Sequence, residues 1–255
     1  MANILILGGT SDARRIAEHL ATRPEHTVRL SLAGRTTAPA ALPVPVRVGG
    51  YGGAEGLAAY LKAEQIDTLI DATHPYAAVM STNAAWAAQA VGVRLVALRR
   101  PAWAQVEGDQ WIEVDGVGEA VEALGASPRR VFLALGRKDI AAFAQAPQHH
   151  YLVRSVDPID PPLAVPHADY IRARGPFSEE NDRALLTRHR IDIVVAKNSG
   201  GSATYGKIAA ARSLALPVVI LRRPPVPPDV PTVETVDEAI TLLDHAPAPQ
   251  AERGV

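Results

Sequence analysis

The 255-residue sequence contains no cysteine, which removes disulfide bonds, cysteine-based zinc sites and thiol nucleophiles. Its eight histidines include no H-x-x-x-H or H-E-x-x-H pair, so a structural metal site is not expected. An excess of one charge is also missing. The 26 basic and 27 acidic residues leave a formal net charge of -1, which argues against a general nucleic-acid binder. No long apolar run is present: the most apolar stretch, residues 76–98, is broken by Ser81, Thr82, Asn83, Gln89 and Arg94 and does not read as a membrane span. The short apolar run at residues 4–7 has no basic region before it and meets Gly8-Gly9 and Asp12 directly, which does not fit a secretory signal. A soluble cytoplasmic protein is the default expectation. Several catalytic signatures are absent as well. There is no G-x-S-x-G elbow, no P-loop and no Y-x-x-x-K pair, because Tyr60 and Tyr205 each have a lysine two residues on.

What is present begins at residues 3–20, NILILGGTSDARRIAEHL. Ile4, Leu5, Ile6 and Leu7 form a run suited to a buried parallel strand. Gly8-Gly9 follows, then Thr10 or Ser11 as a helix cap, then Asp12 in the first turn, where the helix dipole favours a negative side chain. Ile16, Ala17 and Leu20 recur at helical spacing. A strand leading through a glycine turn into a helix N-terminus points backbone N–H groups at an anion. The motif lacks the full G-x-G-x-x-G, so a tight turn without a ligand is the alternative.

The rest of the chain alternates strands with helices, which predicts a parallel sheet in an α/β fold. At 125–130 (GASPRR) the pattern breaks and then starts again. The two halves match in order. Residues 66–70 (IDTLI) answer 191–195 (IDIVV), 95–101 (LVALRRP) answer 218–224 (VVILRRP), and 114–124 (VDGVGEAVEAL) answer 233–243 (VETVDEAITLL). The expectation is therefore two similar doubly wound, Rossmann/flavodoxin-like parallel-sheet domains with an inter-domain cleft, where small-molecule sites concentrate. Residues 1–125 form the first, 126–245 the second, and 246–255 a disordered tail. Whether terminal helices pack on the opposite half is left open.

The end of the second strand separates dinucleotide enzymes: an acid there holds the NAD ribose, an arginine the NADP phosphate. No acid occurs between Arg29 and Thr37, and Ser31, Arg35, Thr36 and Thr37 suit a phosphate. Beside Gly8, Gly9, Thr10 and Ser11 this favours NADPH, with a solvated loop arginine as the alternative. Residues 71–77, DATHPYA, gather a carboxylate, a hydroxyl and an imidazole at a strand's carboxyl end, and His74 can donate a proton near neutral pH. The bland alternative is that Asp71 or Thr73 caps the helix and His74 packs on Pro75. The matching turn of the second half, KNSGGSAT at 197–204, combines Lys197 with small residues that admit a ligand. Gly136, Arg137, Lys138 and Asp139 echo the opening turn with two cations added, and Arg154, Arg172 and Arg174 add more. This half therefore suits carboxylates rather than a second dinucleotide. In GPFSEEN at 175–181, Ser178 is a helix cap with Asn181 three residues on.

Taken together, ILILGGTSDAR (4–14), DATHPYA (71–77), LGRKDI (135–140), GPFSEEN (175–181) and VVAKNSGG (194–201) with the later Lys207 closely resemble the precorrin-6A reductase family of cobalamin biosynthesis. The resemblance spans nearly the whole chain. It implies NADPH-dependent reduction of a macrocycle double bond of a ring-contracted tetrapyrrole to give precorrin-6B, with no metal or flavin. On this reading Gly8, Gly9, Thr10, Ser11, Asp12, Ser31, Arg35, Thr36 and Thr73 bind the cofactor. Arg137, Lys138, Arg154, Ser178, Asn181, Asn198, Ser199, Gly200 and Lys207 bind a substrate rich in carboxylates. The proton donor is left among His74, Tyr76, Lys197 and water. The partner is the tetrapyrrole, with neighbouring pathway enzymes as further candidates. Three other readings stay open: cobalt-precorrin-6A as substrate, a non-catalytic dinucleotide-binding sensor, and a two-domain nucleotide-sugar transferase.

Overall fold

The apolar runs at residues 4–7, 69–70, 131–133 and 193–196 are buried on both sides, as strands of a doubly covered parallel sheet must be. A computed structural model describes residues 2–34 and 41–245. In chain order its elements are β1 (Ala2–Leu7), α1 (Ser11–Leu20), β2 (His26–Leu32), β3 (Val46–Val48), α2 (Ala54–Ala63), β4 (Thr68–Asp71), α3 (Ala78–Val91), β5 (Arg94–Leu98), β6 (Gln110–Val114) and α4 (Val117–Glu122). They continue with β7 (Arg130–Ala134), α5 (Arg137–Ile140), a 3-10 turn (Ala141–Gln145), β8 (His150–Ser155), β9 (Ala168–Arg172), α6 (Glu179–Arg188) and β10 (Ile193–Lys197). The last are α7 (Gly206–Ser213), β11 (Pro217–Leu221), β12 (Thr232–Val233) and α8 (Val236–Asp244).

Two six-stranded parallel sheets result. The first runs β12-β5-β4-β1-β2-β3 and the second β6-β11-β10-β7-β8-β9. Both have the doubly wound order in which connections reverse direction beside the first strand, between β1 and β4 or between β7 and β10. The described residues divide into two compact units, one from the chain before Pro101 and after Arg223, the other from Pro101–Arg223. The linear division expected at 125/126 gives way to an exchange. β6 pairs with β11 and so completes the second sheet, while β12 pairs with β5 and completes the first. The physical reason is that the sixth strand of each half, β6 and β12, finds its parallel partner in the other half's sheet, beside β11 and β5. The tail at 246–255 lies outside the described residues.

In the first unit the strand pleat sends Ile4 and Ile6 to one face, where α1 and α8 cover them with Ile16, Leu20, Ile240 and Leu243. Leu5 and Leu7 point to the other face, under Leu57, Leu61, Ala84 and Ala87 of α2 and α3. In the second unit α6 and α7 bury Phe132, Val194, Val218 and Ile220 beneath Leu186 and Ile208. Helix α7 starts at Gly206, preceded by a turn in which the Ala203 carbonyl accepts from Phe177 N–H at 3.0 Å.

Candidate active site

The β1–α1 turn is built as the sequence suggests. Gly8 N–H donates to the Ser31 carbonyl at 2.9 Å, carrying the β1–β2 ladder one residue past the strand. Gly9 has φ +111°, a conformation side chains rarely adopt, and a Cβ there would meet nothing within 4 Å. The backbone at Gly9 is therefore open at the head of α1. Thr10 is the N-cap: its Oγ1 accepts from Ala13 N–H at 3.1 Å and donates to the Ala72 carbonyl at 2.8 Å. One hydroxyl thus fastens the helix N-terminus to the end of β4. Ser11 is exposed in the first turn, and Asp12 pairs with Arg100 at 2.6 Å.

At the end of β4, Asp71 is buried and does not cap a helix. Its Oδ1 accepts from Thr73 N–H at 3.1 Å and from Thr73 Oγ1 at 2.6 Å, and its Oδ2 meets Arg99. Arg99 also donates to the Asp71 carbonyl at 3.1 Å and to Ser81 Oγ at 2.6 Å. The carboxylate is thereby spent on holding the 72–77 turn. Within that turn His74 Nδ1 accepts from Tyr76 N–H at 3.3 Å, so the neutral imidazole carries its proton on Nε2. The two rings lie 5.6 Å apart, and both residues are partly exposed.

On the β2 side Ser31 is buried inside the strand, beneath the glycine turn. Arg29 donates to Tyr60 at 2.7 Å and pairs with Glu64 at 2.6 Å, so it is directed at α2. Arg47 lies 3.9 Å over the Tyr51 ring and donates to the carbonyls of Gly49 and Gly50, shaping the GGYGG turn. Arg35 and Thr36 lie outside the described residues.

The second unit uses its matching turn differently. Lys197 at the end of β10 pairs with Asp139 at 2.6 Å, which joins β10 to the first turn of α5. Arg137 and Lys138 are exposed. Arg154 and Lys207, expected among the substrate ligands, are both buried. Arg154 is buried in an ion pair with Asp182, its guanidinium 3.8 Å over the Phe177 ring. Lys207 is 4% exposed, donates to the Thr204 carbonyl and lies 4.9 Å from the Trp103 ring. Burial pushes its ammonium pKa down to about 7; nearby Arg154 lowers it further and Asp182 opposes. Packing of α6 against α7 drew these cations inward.

Asn198 is also committed to the fold. Its side chain accepts from Trp103 N–H at 2.8 Å and donates to the Trp103 carbonyl at 2.9 Å. Ser199 turns back on the Lys197 carbonyl, its N–H donating at 2.8 Å. Gly200 has φ +67° and faces Arg223 and the Pro101 carbonyl. Ser178 caps α6 by accepting from Asn181 N–H at 3.3 Å, and both residues are exposed. The bland reading of that motif is the geometry present.

Sequence reasoning missed Arg99, Arg100, Trp103 and Arg223 as organisers of these turns, since the groups they bind lie on other strands and helices. A signal existed in the repeated Arg-Arg-Pro at 99–101 and 222–224. In both units the motif follows a strand end and ties down the neighbouring strand's turn: Arg99 through Asp71, and Arg223 through the Asn198 carbonyl at 2.7 Å.

Among the described residues no helix is long and apolar enough to cross a membrane, and no group of His, Cys, Asp or Glu is placed to hold a metal ion. Two doubly wound parallel sheets, one opening on a glycine turn and a capped helix, define a Rossmann-like α/β protein. The chain belongs more specifically to the family described as precorrin-6x reductase CbiJ/CobK, whose model matches residues 3–244. It is 55% identical over 246 residues to the precorrin-6A reductase of a Sinorhizobium species, covering 96% of this chain and 94% of that one. The precorrin-6A reductase of Rhodobacter capsulatus is 49% identical over 227 residues, 89% of this chain and 90% of the relative. A solved structure of CobK precorrin-6A reductase superposes with a TM-score of 0.92 at 46% identity, covering 98% of this chain and 99% of that one.

Proposed function

We propose that this chain reduces a macrocycle double bond of precorrin-6A with NADPH, giving precorrin-6B in cobalamin biosynthesis. The observation that carries the proposal is the 46% identity and 0.92 TM-score to CobK precorrin-6A reductase along 98% of the chain. Relatives at this level and above bear the precorrin-6A name, which favours the metal-free macrocycle over its cobalt form.

The β1–α1 turn fits the cofactor. Gly9 leaves open space before a ten-residue helix whose cap is in place, and a pyrophosphate suits such a helix head. Gly8, Gly9, Thr10 and Ser11 would hold it, with Arg35 and Thr36 on the 2′-phosphate. Bound NADPH supplies the hydride. The chain's own task is to hold, orient and protonate. Thr73, fixed by Asp71, shapes the wall beside the end of β4. We assign the protonated His74 ring as the proton donor to the carbon next to the reduced one, the Tyr76 N–H contact at Nδ1 giving the neutral ring its resting orientation. Exposed Arg137 and Lys138 meet substrate carboxylates, while Lys197 holds Asp139 and with it their turn. With no membrane-spanning helix among the described residues, a cytoplasmic site of action is part of the proposal.

Mixing the protein with NADPH and precorrin-6A tests this, and we expect loss of nicotinamide absorbance with formation of precorrin-6B. No NADPH consumption with authentic substrate would falsify the proposal; binding without turnover would favour a dinucleotide sensor.

A further inference from the structure

Arg100 lies two residues beyond β5, and its Nη1 sits 2.6 Å from Oδ2 of Asp12, in the first turn of α1. The two side chains are 18% and 19% exposed, so the pair is partly open to solvent at the helix head. A carboxylate in a first turn gains from the helix dipole, yet it opposes any anionic ligand at the same N–H groups. A guanidinium brought in from another strand end cancels that opposition. It also carries five N–H donors in a planar fork that matches phosphate oxygens. The neighbouring Arg99 has its donors directed at Asp71, Leu98 and Ser81, which leaves Arg100 as the cation of this strand end directed to α1.

We propose that Arg100 is a further cofactor-binding residue that donates to the pyrophosphate of NADPH at the head of α1, with Asp12 aiming its guanidinium. The inference rests on the NADPH reading and adds a residue to that site. Arg100 reads the pyrophosphate, which NADH shares, whereas Arg35 reads the 2′-phosphate.

The test is a binding cycle on the intact protein with NADPH, NADH and 2′-AMP as probes. Arg100→Ala alone leaves a bare carboxylate and weakens both dinucleotides. The double variant Asp12→Asn with Arg100→Ala removes both charges. If Arg100 contacts the pyrophosphate, the double variant still binds NADPH and NADH about tenfold or more weakly than the parent, the scale of a lost charge-assisted hydrogen bond. Its affinity for 2′-AMP, which has no pyrophosphate, stays within about twofold on the same scale. If the double variant binds NADPH as the parent does, or loses 2′-AMP equally, the proposal is overturned. Should the alanine variant not fold, Arg100→Lys decides: lysine keeps the charge against Asp12 without the planar fork. Contact then gives a several-fold loss for both dinucleotides, and an unchanged affinity overturns the proposal. A parent protein that binds neither dinucleotide removes the NADPH reading itself, a result distinct from either outcome.

Discussion

Arg99 and Asp71 form a buried ion pair at the carboxyl edge of the first sheet, their side chains 8% and 2% exposed. Through it β5, β4 and the first turns of α3 are held as one piece, because Arg99 also reaches Ser81. Removing one partner of such a pair leaves an uncompensated charge inside, at a cost of about 3–5 kcal/mol. We expect Arg99→Ala to lower stability by that order in urea denaturation, and Ser81→Ala by only about 1 kcal/mol. A loss from Arg99→Ala no larger than that from Ser81→Ala would show that the pair is not what anchors the turn.

Thr10 acts through two bonds of one hydroxyl, to Ala13 N–H and to the Ala72 carbonyl. Valine has nearly the same shape and neither bond. Thr10→Val should cost about 1–2 kcal/mol in stability and weaken NADPH, since the helix head is no longer tied to β4. Thr10→Ser keeps the hydroxyl and should restore most of both. Equal behaviour of serine and valine would shift the role to the side-chain methyl.

Lys207 makes stability depend on pH in a definite direction. Burial brings its folded pKa to about 7, while the unfolded chain holds the proton up to the ordinary lysine range. Between these values the unfolded state binds more protons, so stability rises with pH from about 7 towards 10, by at most ~1.4 kcal/mol per pH unit. Below that window both states are protonated and the penalty is constant. Lys207→Met should therefore be more stable than the parent at neutral pH, with the difference shrinking as pH rises. Denaturation midpoints across this range check it, and parallel curves for the two proteins would count against a buried ammonium.

Gly200 cannot carry a side chain. With φ +67°, a Cβ would lie 2.2 Å from Arg223 Nη2 and from the Pro101 carbonyl oxygen. Gly200→Ala should lose at least 1–3 kcal/mol, read as a lower melting temperature. Gly92, also at positive φ but with open space around its Cβ, is the control: Gly92→Ala carries the conformational cost alone. A smaller loss at Gly200 than at Gly92 would mean that the 197–201 turn yields easily.

Much of the site was legible because its signals are local. Gly8-Gly9-Thr10 specifies a turn and a cap within three residues, and the structure shows that turn and that cap. Ser178 as the cap of α6 was equally plain. Arg154 and Lys207 were not, because a cation's role depends on what folds over it. A lysine on a helix reads as a surface charge until α6 and Trp103 cover it. Arg99 and Arg223 were hidden for a related reason, since their partners lie 28 and 25 residues away.

The sequence by itself determined two rounds of strand and helix, the glycine turn that opens the first, and the apolar runs that require a sheet covered on both faces. Only the tertiary structure decided which sheet each sixth strand joins. The segments at 114–124 and 233–243 are alike in pattern, and a short strand's periodicity says which face is buried but not which neighbour it pairs with. That choice is made by register: β6 lies along β11 from Gln110 to Val114, and β12 along β5 at Thr232 and Val233. Hydrogen bonds between strands far apart in the chain set the exchange, and no local propensity encodes them.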